Sequence, residues 1–151
     1  MNPIYFIDGN NLLHKVKRLD ILMKKDKQSA RESLVHMLLP YFSGKKISVT
    51  VFFDGFQNAG ITASPLSIKY SNKESADKLI KDSIGFAKNA RNITLISDDL
   101  ELVNFARKCS ASVIGSNTFS KELQKPDASG NESNLINSLS QKNDEFIKLF
   151  S

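Results

Sequence analysis

Residues 5–11 read YFIDGNN. An apolar run of the kind that fills a buried strand stops on the carboxylate of Asp8, and a glycine and two asparagines, residues suited to unusual backbone angles, follow at once. One acid at a strand end decides nothing, because it caps a turn or helix as readily as it does chemistry. The pattern gains weight because it recurs. The run 47–53 (ISVTVFF) ends on Asp54 in VFFDG, and 92–96 (NITLI) is followed by Asp98 and Asp99 in ISDD.

These runs are short and apolar on both faces, as strands of a parallel sheet covered by helices are. Two more candidates are 66–70 (LSIKY) and 111–115 (ASVIG). Helical stretches lie between them. SARE at 29–32 has the form of a capping box ahead of Leu34, Val35, Leu38, Leu39 and Phe42, with Pro40 expected to kink or end that helix. SNKE at 71–74 precedes Leu79, Ile80, Ile84 and Ala87, DDLE at 98–101 precedes Leu102, Val103, Phe105 and Ala106, and a helical turn is expected from Ser120. Alternating strand and helix indicate an α/β layered domain with a mainly parallel sheet over residues 1–123. Residues 124–151 read as a linker (QKPDASGNESN) and a tail whose Leu135, Ile136, Leu139, Phe146, Ile147, Leu149 and Phe150 pack on the body or meet a protein partner.

Length and composition set bounds. A chain of 151 residues, 40% hydrophobic, holds one sizeable core. It has no apolar run of the ~20 residues that cross a bilayer and no signal-peptide layout, so a cytoplasmic location without membrane attachment is expected. The single cysteine, Cys109, reads as a buried filler, and with His14 and His36 it makes a poor zinc set for want of CxxC or HxxxH spacing. The net charge of +5 is concentrated in residues 1–50, where nine Lys or Arg stand against four acids. Such a local excess suits a phosphate backbone or, equally, a solvated loop and helix face.

In an open parallel sheet the C-terminal strand ends share one edge, where ligands bind. Asp8, Asp54 and Asp98 fall there, joined by Glu74 and Asp77 at the start of the helix after strand three. Converging carboxylates raise one another's pKa unless a proton or cation intervenes. Oxygen ligands without histidine or thiol favour Mg²⁺ or Mn²⁺, and such ions activate water and polarise phosphoryl oxygens. Gly9 would let the backbone approach a ligand, and Asn11 offers an amide to a carboxylate, water or phosphate. Each residue also has a plain structural role open to it: Asp98 as a helix cap, Glu74 within its capping box, Asp77 paired with Lys81, Asp54 starting a turn.

The segments YFIDGNNLLH, VTVFFDGF, IKYSNKESADKLI and ITLISDDLELVNFARKCSASVIGSNTF, in this order, resemble the NYN domain, and within it the YacP-like branch of the PIN-like nuclease superfamily, over roughly residues 3–123. The resemblance implies a PIN-like, Rossmann-like three-layer sandwich with strand order 3-2-1-4-5 and metal-dependent cleavage of RNA. It implies metal-site roles for Asp8, Asp77 and Asp98, assisted by Asn11, with Asp54, Glu74 and Asp99 nearby. Two departures stand out: Asn10 replaces a customary tyrosine, and Lys78 replaces a second aspartate, which leaves the number of metal ions open.

The leading expectation is therefore a Mg²⁺- or Mn²⁺-dependent endoribonuclease acting on mRNA or other single-stranded RNA, with Lys15, Lys17, Arg18, Lys24, Lys25 and Lys78 guiding the backbone. A PIN-like module that holds RNA or a protein without cutting is the first rival. A phosphotransfer protein of the receiver or haloacid-dehalogenase kind is the second, the latter disfavoured because residues 8–10 read Asp-Gly-Asn and lack a second acid.

Overall fold

A computed structural model of the chain describes residues 2–57 and 60–125. The apolar runs form one sheet from β1 (Ile4–Asp8), β2 (Ser48–Phe53), β3 (Ser67–Tyr70), β4 (Ile93–Ile96) and β5 (Ser112–Ile114), ordered β3-β2-β1-β4-β5. Every pairing is parallel, with Asp8 opposite Phe52 and Ile7 opposite Ile96. The expected order and class are thus observed. Strand β1 is central, and the strand order reverses across the β1–β4 pair, which makes the edge above it the topological switch point.

Successive side chains of a strand point to opposite faces, and both faces here are covered. On one, Phe52, Ile93 and Leu95 pack with Ala76, Ile80 and Ile84 of α4 (Ala76–Gly85) and Leu102 and Ala106 of α5 (Leu100–Lys108). On the other, α3 (Lys27–Phe42) sets Phe42 against Tyr5 and Arg31 against Phe53 and Tyr70. Phe119 of α6 (Ser116–Leu123) stacks on Phe42. The result is three layers. The chain divides into a compact unit, Met1–Ser120, and a second unit, Lys121–Ser151. The tail residues Leu135 to Phe150 lie outside the described residues.

The structure departs from expectation at the helix starts. Residues 9–11 are the first turn of α1 (Gly9–Lys15), and α2 (Lys17–Lys25) follows after one extended residue, the buried Val16. Gly9 makes its close approach to strand β2 and not to a ligand: a Cβ there would meet Phe53 Cε1 at 2.6 Å and the Phe52 carbonyl oxygen at 2.7 Å. Only a residue without a side chain lets α1 leave β1 this close to its neighbour.

Helix α3 is capped by Asp26, which accepts from the Ser29 N–H at 3.1 Å, so Ser29 serves as donor and not as cap. It runs two residues past Pro40, whose carbonyl accepts the Ser43 N–H. Helix α4 is capped by Ser75, while Ser71 accepts the Gly55 N–H at 2.9 Å. Helix α5 is capped by Asp99, one residue after the expected Asp98. Helix α6 begins at Ser116, ahead of the expected Ser120. Cys109 is only partly buried, at the C-cap of α5 against the core. Among the described residues no helix is long and apolar enough to cross a membrane.

Candidate active site

Strand β1 stops on Asp8 because that carboxylate closes two structures at once. Its Oδ1 accepts the Asn11 N–H at 3.4 Å and caps α1, while its Oδ2 accepts the Ser97 hydroxyl at 2.9 Å. The residue is only 5% exposed. Burial pushes its carboxyl from the ordinary 3.8 up to about 6; the two hydrogen bonds oppose that shift, and the charges of Asp77 and Asp99 add to it.

The two asparagines tie this centre to its neighbours on either side. Asn10 Oδ1 accepts the Asp54 N–H at the end of β2, and Asn11 Oδ1 accepts the Asp98 N–H at the end of β4, both at 2.9 Å. Asn11 Oδ1 is thus engaged by a backbone amide. That oxygen fixes the β4 exit, and Asn10, noticed in the sequence only as a departure, does the same for β2.

Asp54 caps the α4 entrance, accepting the Ala76 N–H at 2.7 Å. This sets Asp77 in the first turn of α4, half-buried, with its carboxyl raised by burial and then by the charges of Asp99, Asp54 and Glu101, against the pull of Lys81. Lys81 itself pairs with Glu101 at 2.6 Å, not with Asp77 in the expected helical pair. Asp99 Oδ1 accepts the Glu101 and Leu102 amides at 3.0 and 3.1 Å, and the Asp99 N–H reaches the Ser97 hydroxyl oxygen at 3.0 Å.

Asp8, Asp77 and Asp99 thus act on one another, with Asp54 at the margin. Asp98 has partners of its own. Its Oδ2 accepts the Asn117 N–H at 2.9 Å and lies 3.6 Å from Lys15 Nζ, and a Cβ at Gly115 would sit 2.6 Å from its Oδ1. Glu74 is exposed, and its charge bears on Lys78. Lys78 pairs with Asp82 at 3.0 Å. Lys17, Arg18, Lys24 and Lys25 are exposed along α2, and Lys15 ends α1 beside Asp98.

Two residues here escaped sequence reasoning. Ser97, fully buried, bridges Asp8 to the α5 cap; its signal was the small polar residue between an apolar run and two acids. Arg31, 2% exposed in α3, donates to the carbonyl oxygens of Asp54 at 2.5 Å and Phe56 at 3.2 Å while lying over the Phe53 and Tyr70 rings. It gave no signal, since an arginine in a charged helix turn ordinarily faces water.

Asp8 and Asp77 are each raised first by burial and then by neighbouring carboxylate charge, and a hard divalent cation with oxygen ligands relieves such repulsion. Among the described residues no three His, Cys, Asp or Glu stand together as a ready-made cluster, so an ion here would complete its shell with water, as Mg²⁺ commonly does.

Two solved structures share the fold. The chain aligns with Rae1 (YacP) from Bacillus subtilis at a TM-score of 0.70 and 17% identity, covering 97% of this chain and 87% of that one. A single-site mutant of the same protein gives 0.66 and 20%, covering 80% and 74%. No curated protein matches the sequence significantly. The model of the YacP-like NYN domain matches residues 5–149, and the chain belongs to that family of PIN-like nucleases.

Proposed function

We propose that the protein is an endoribonuclease that hydrolyses RNA phosphodiester bonds with a bound Mg²⁺ or Mn²⁺. The observation that carries this reading is Asp8: a carboxylate buried at the switch point of the sheet and pushed up to about 6, facing the charges of Asp77 and Asp99. Asp8 and Asp77 would hold the ion, with Asp99 and Asp54 beside it. A bound ion of this kind supplies charge neutralisation at the phosphate and activation of water.

The chain's own residues do the rest. Ser97 and the Asn11 amide hold the Asp8 carboxylate in one orientation, and Asn10 and Asn11 fix the exits of β2 and β4 around it. Asp98 orients Lys15 and the start of α6, and the exposed cations of α2 lead the RNA backbone in. Lys78, engaged with Asp82, sits on the α4 side of the approach.

The test is cleavage of a labelled single-stranded RNA with Mn²⁺ and with chelator. The wild type should cut only with the metal. Asp8→Asn and Asp77→Asn should lose activity by a hundredfold or more while remaining folded, and Asp98→Asn should lose less. Cutting that survives chelator rejects the metal assignment. Tight binding without product assigns the chain to the binding-module class instead.

A further inference from the structure

We propose that Phe56 is a stacking platform for an unpaired nucleobase next to the phosphate that reacts at Asp8, a proposal that rests on the nuclease reading above. Among the described phenylalanines and tyrosines only two rings stand largely in water, Phe56 at 57% and Phe86 at 82% exposure. They differ in place and in mounting. Phe86 follows Gly85 at the far end of α4, about 15 Å along the helix from the turn that holds Asp77. Phe56 stands two residues beyond Asp54, just past the end of β2 at Phe53, beside central β1.

Residues 54–56 of the loop after β2 are each bonded through the backbone. Asp54 is bonded by Asn10 at its N–H and by Arg31 at its carbonyl. The Gly55 N–H donates to Ser71 Oγ at 2.9 Å, the Gly55 carbonyl accepts the Asn72 N–H at 2.8 Å, and Gly55 takes the left-handed φ of +85° that this turn requires. The Phe56 carbonyl accepts from Arg31. Both terminal nitrogens of the buried Arg31 guanidinium are spent on the loop. The backbone of residues 54–56 is held by these bonds while the Phe56 ring is left largely exposed.

Single-stranded nucleic acid is gripped without regard to sequence by positive charge that tracks its backbone together with exposed aromatic rings on which bases stack. The Phe56 ring offers a π-face to any base, and the hydrogen bonds on its backbone reduce the ordering entropy given up when a base docks. Positively charged side chains on α2 and Lys15 would track the backbone while Phe56 fixes one base, which sets which phosphate lies at Asp8.

The experiment compares wild type, Phe56→Ala and Phe56→Trp on one labelled single-stranded RNA and on versions with a single abasic nucleotide at each position in turn. Phe56→Ala should raise KM about tenfold, equivalent to about 1.4 kcal/mol, with kcat nearly kept. Phe56→Trp should restore it. One abasic position should cost the wild type about as much and cost Phe56→Ala nothing more. Phe86→Ala should behave as wild type, and the unfolding temperatures should agree. Equal KM for wild type and Phe56→Ala, or a loss independent of every abasic position, overturns the proposal and leaves the ring to a protein surface. If the wild type cuts no RNA, the nuclease reading falls. The stack is then judged by fluorescence anisotropy with the same RNAs: tenfold weaker binding by Phe56→Ala sustains it, equal binding ends it.

Discussion

An aspartate that titrates near 6 in the native state and at 3.8 when unfolded binds its proton more tightly folded than unfolded. The associated stability is fully present below about pH 4, falls as the pH rises through the window from 3.8 to 6, and is gone above it. For Asp8 the whole effect amounts to about 3 kcal/mol, at 1.36 kcal/mol per pKa unit. Asp8→Asn should therefore be more stable than wild type at pH 7, by up to about 3 kcal/mol, with the advantage vanishing toward pH 4. Urea unfolding at the two pH values measures it, and a pH-independent difference would refute the assignment. Mn²⁺ should raise the melting temperature of the wild type and do so far less in Asp8→Asn, by mass action on the folded state. Gly9 is as demanding in another way. A methyl group there collides with a backbone carbonyl that cannot swing aside, so Gly9→Ala should lower stability by about 1–3 kcal/mol in the same denaturation assay.

At the scale of elements, the β2–β3 side of the site depends on a clamp from α3. Arg31→Lys keeps the charge but not the two-pronged geometry that reaches the Asp54 and Phe56 carbonyls together. It should speed amide hydrogen exchange at Gly55 and Phe56 and cost about 1–3 kcal/mol of stability; unchanged exchange would show that the loop holds itself. Helix α2 is tested by salt. Replacing Lys17, Arg18, Lys24 and Lys25 with glutamine should flatten the dependence of RNA affinity on salt, by about 0.7 in the log–log slope for each phosphate no longer neutralised. A slope equal to wild type would mean that these exposed cations face only solvent.

At the scale of the whole molecule, parallel order makes the site. Placing β1 between β2 and β4 brings Asp8 within reach of the exits of both, and the crossover from β3 to β4 carries Asp77 over the same edge on α4. The resemblance of the four motifs to a known family supplied the strand order; the residue patterns alone reached only the alternation of layers. That alternation was legible because the apolar period of a strand and of a helix is a local property, set by which side chains share a face. So was the convergence of acids at one edge, since it follows from strand direction.

Sequence by itself therefore determined that this is a parallel α/β layered chain with carboxylates gathered at the C-terminal ends of its strands. The tertiary structure decided which carboxylate looks where. Asp98 and Asp99 are adjacent and chemically identical, yet one caps α5 and bears on Asp8 and Asp77, and the other turns to Asn117 and Lys15. Capping boxes one to four residues out of place, Asn10 and Asn11 reaching to strands far away in sequence, and Arg31 buried against two rings have the same origin. Hydrogen bonds are directional and short, so their partners are settled only when distant segments have been brought within about 3 Å of one another.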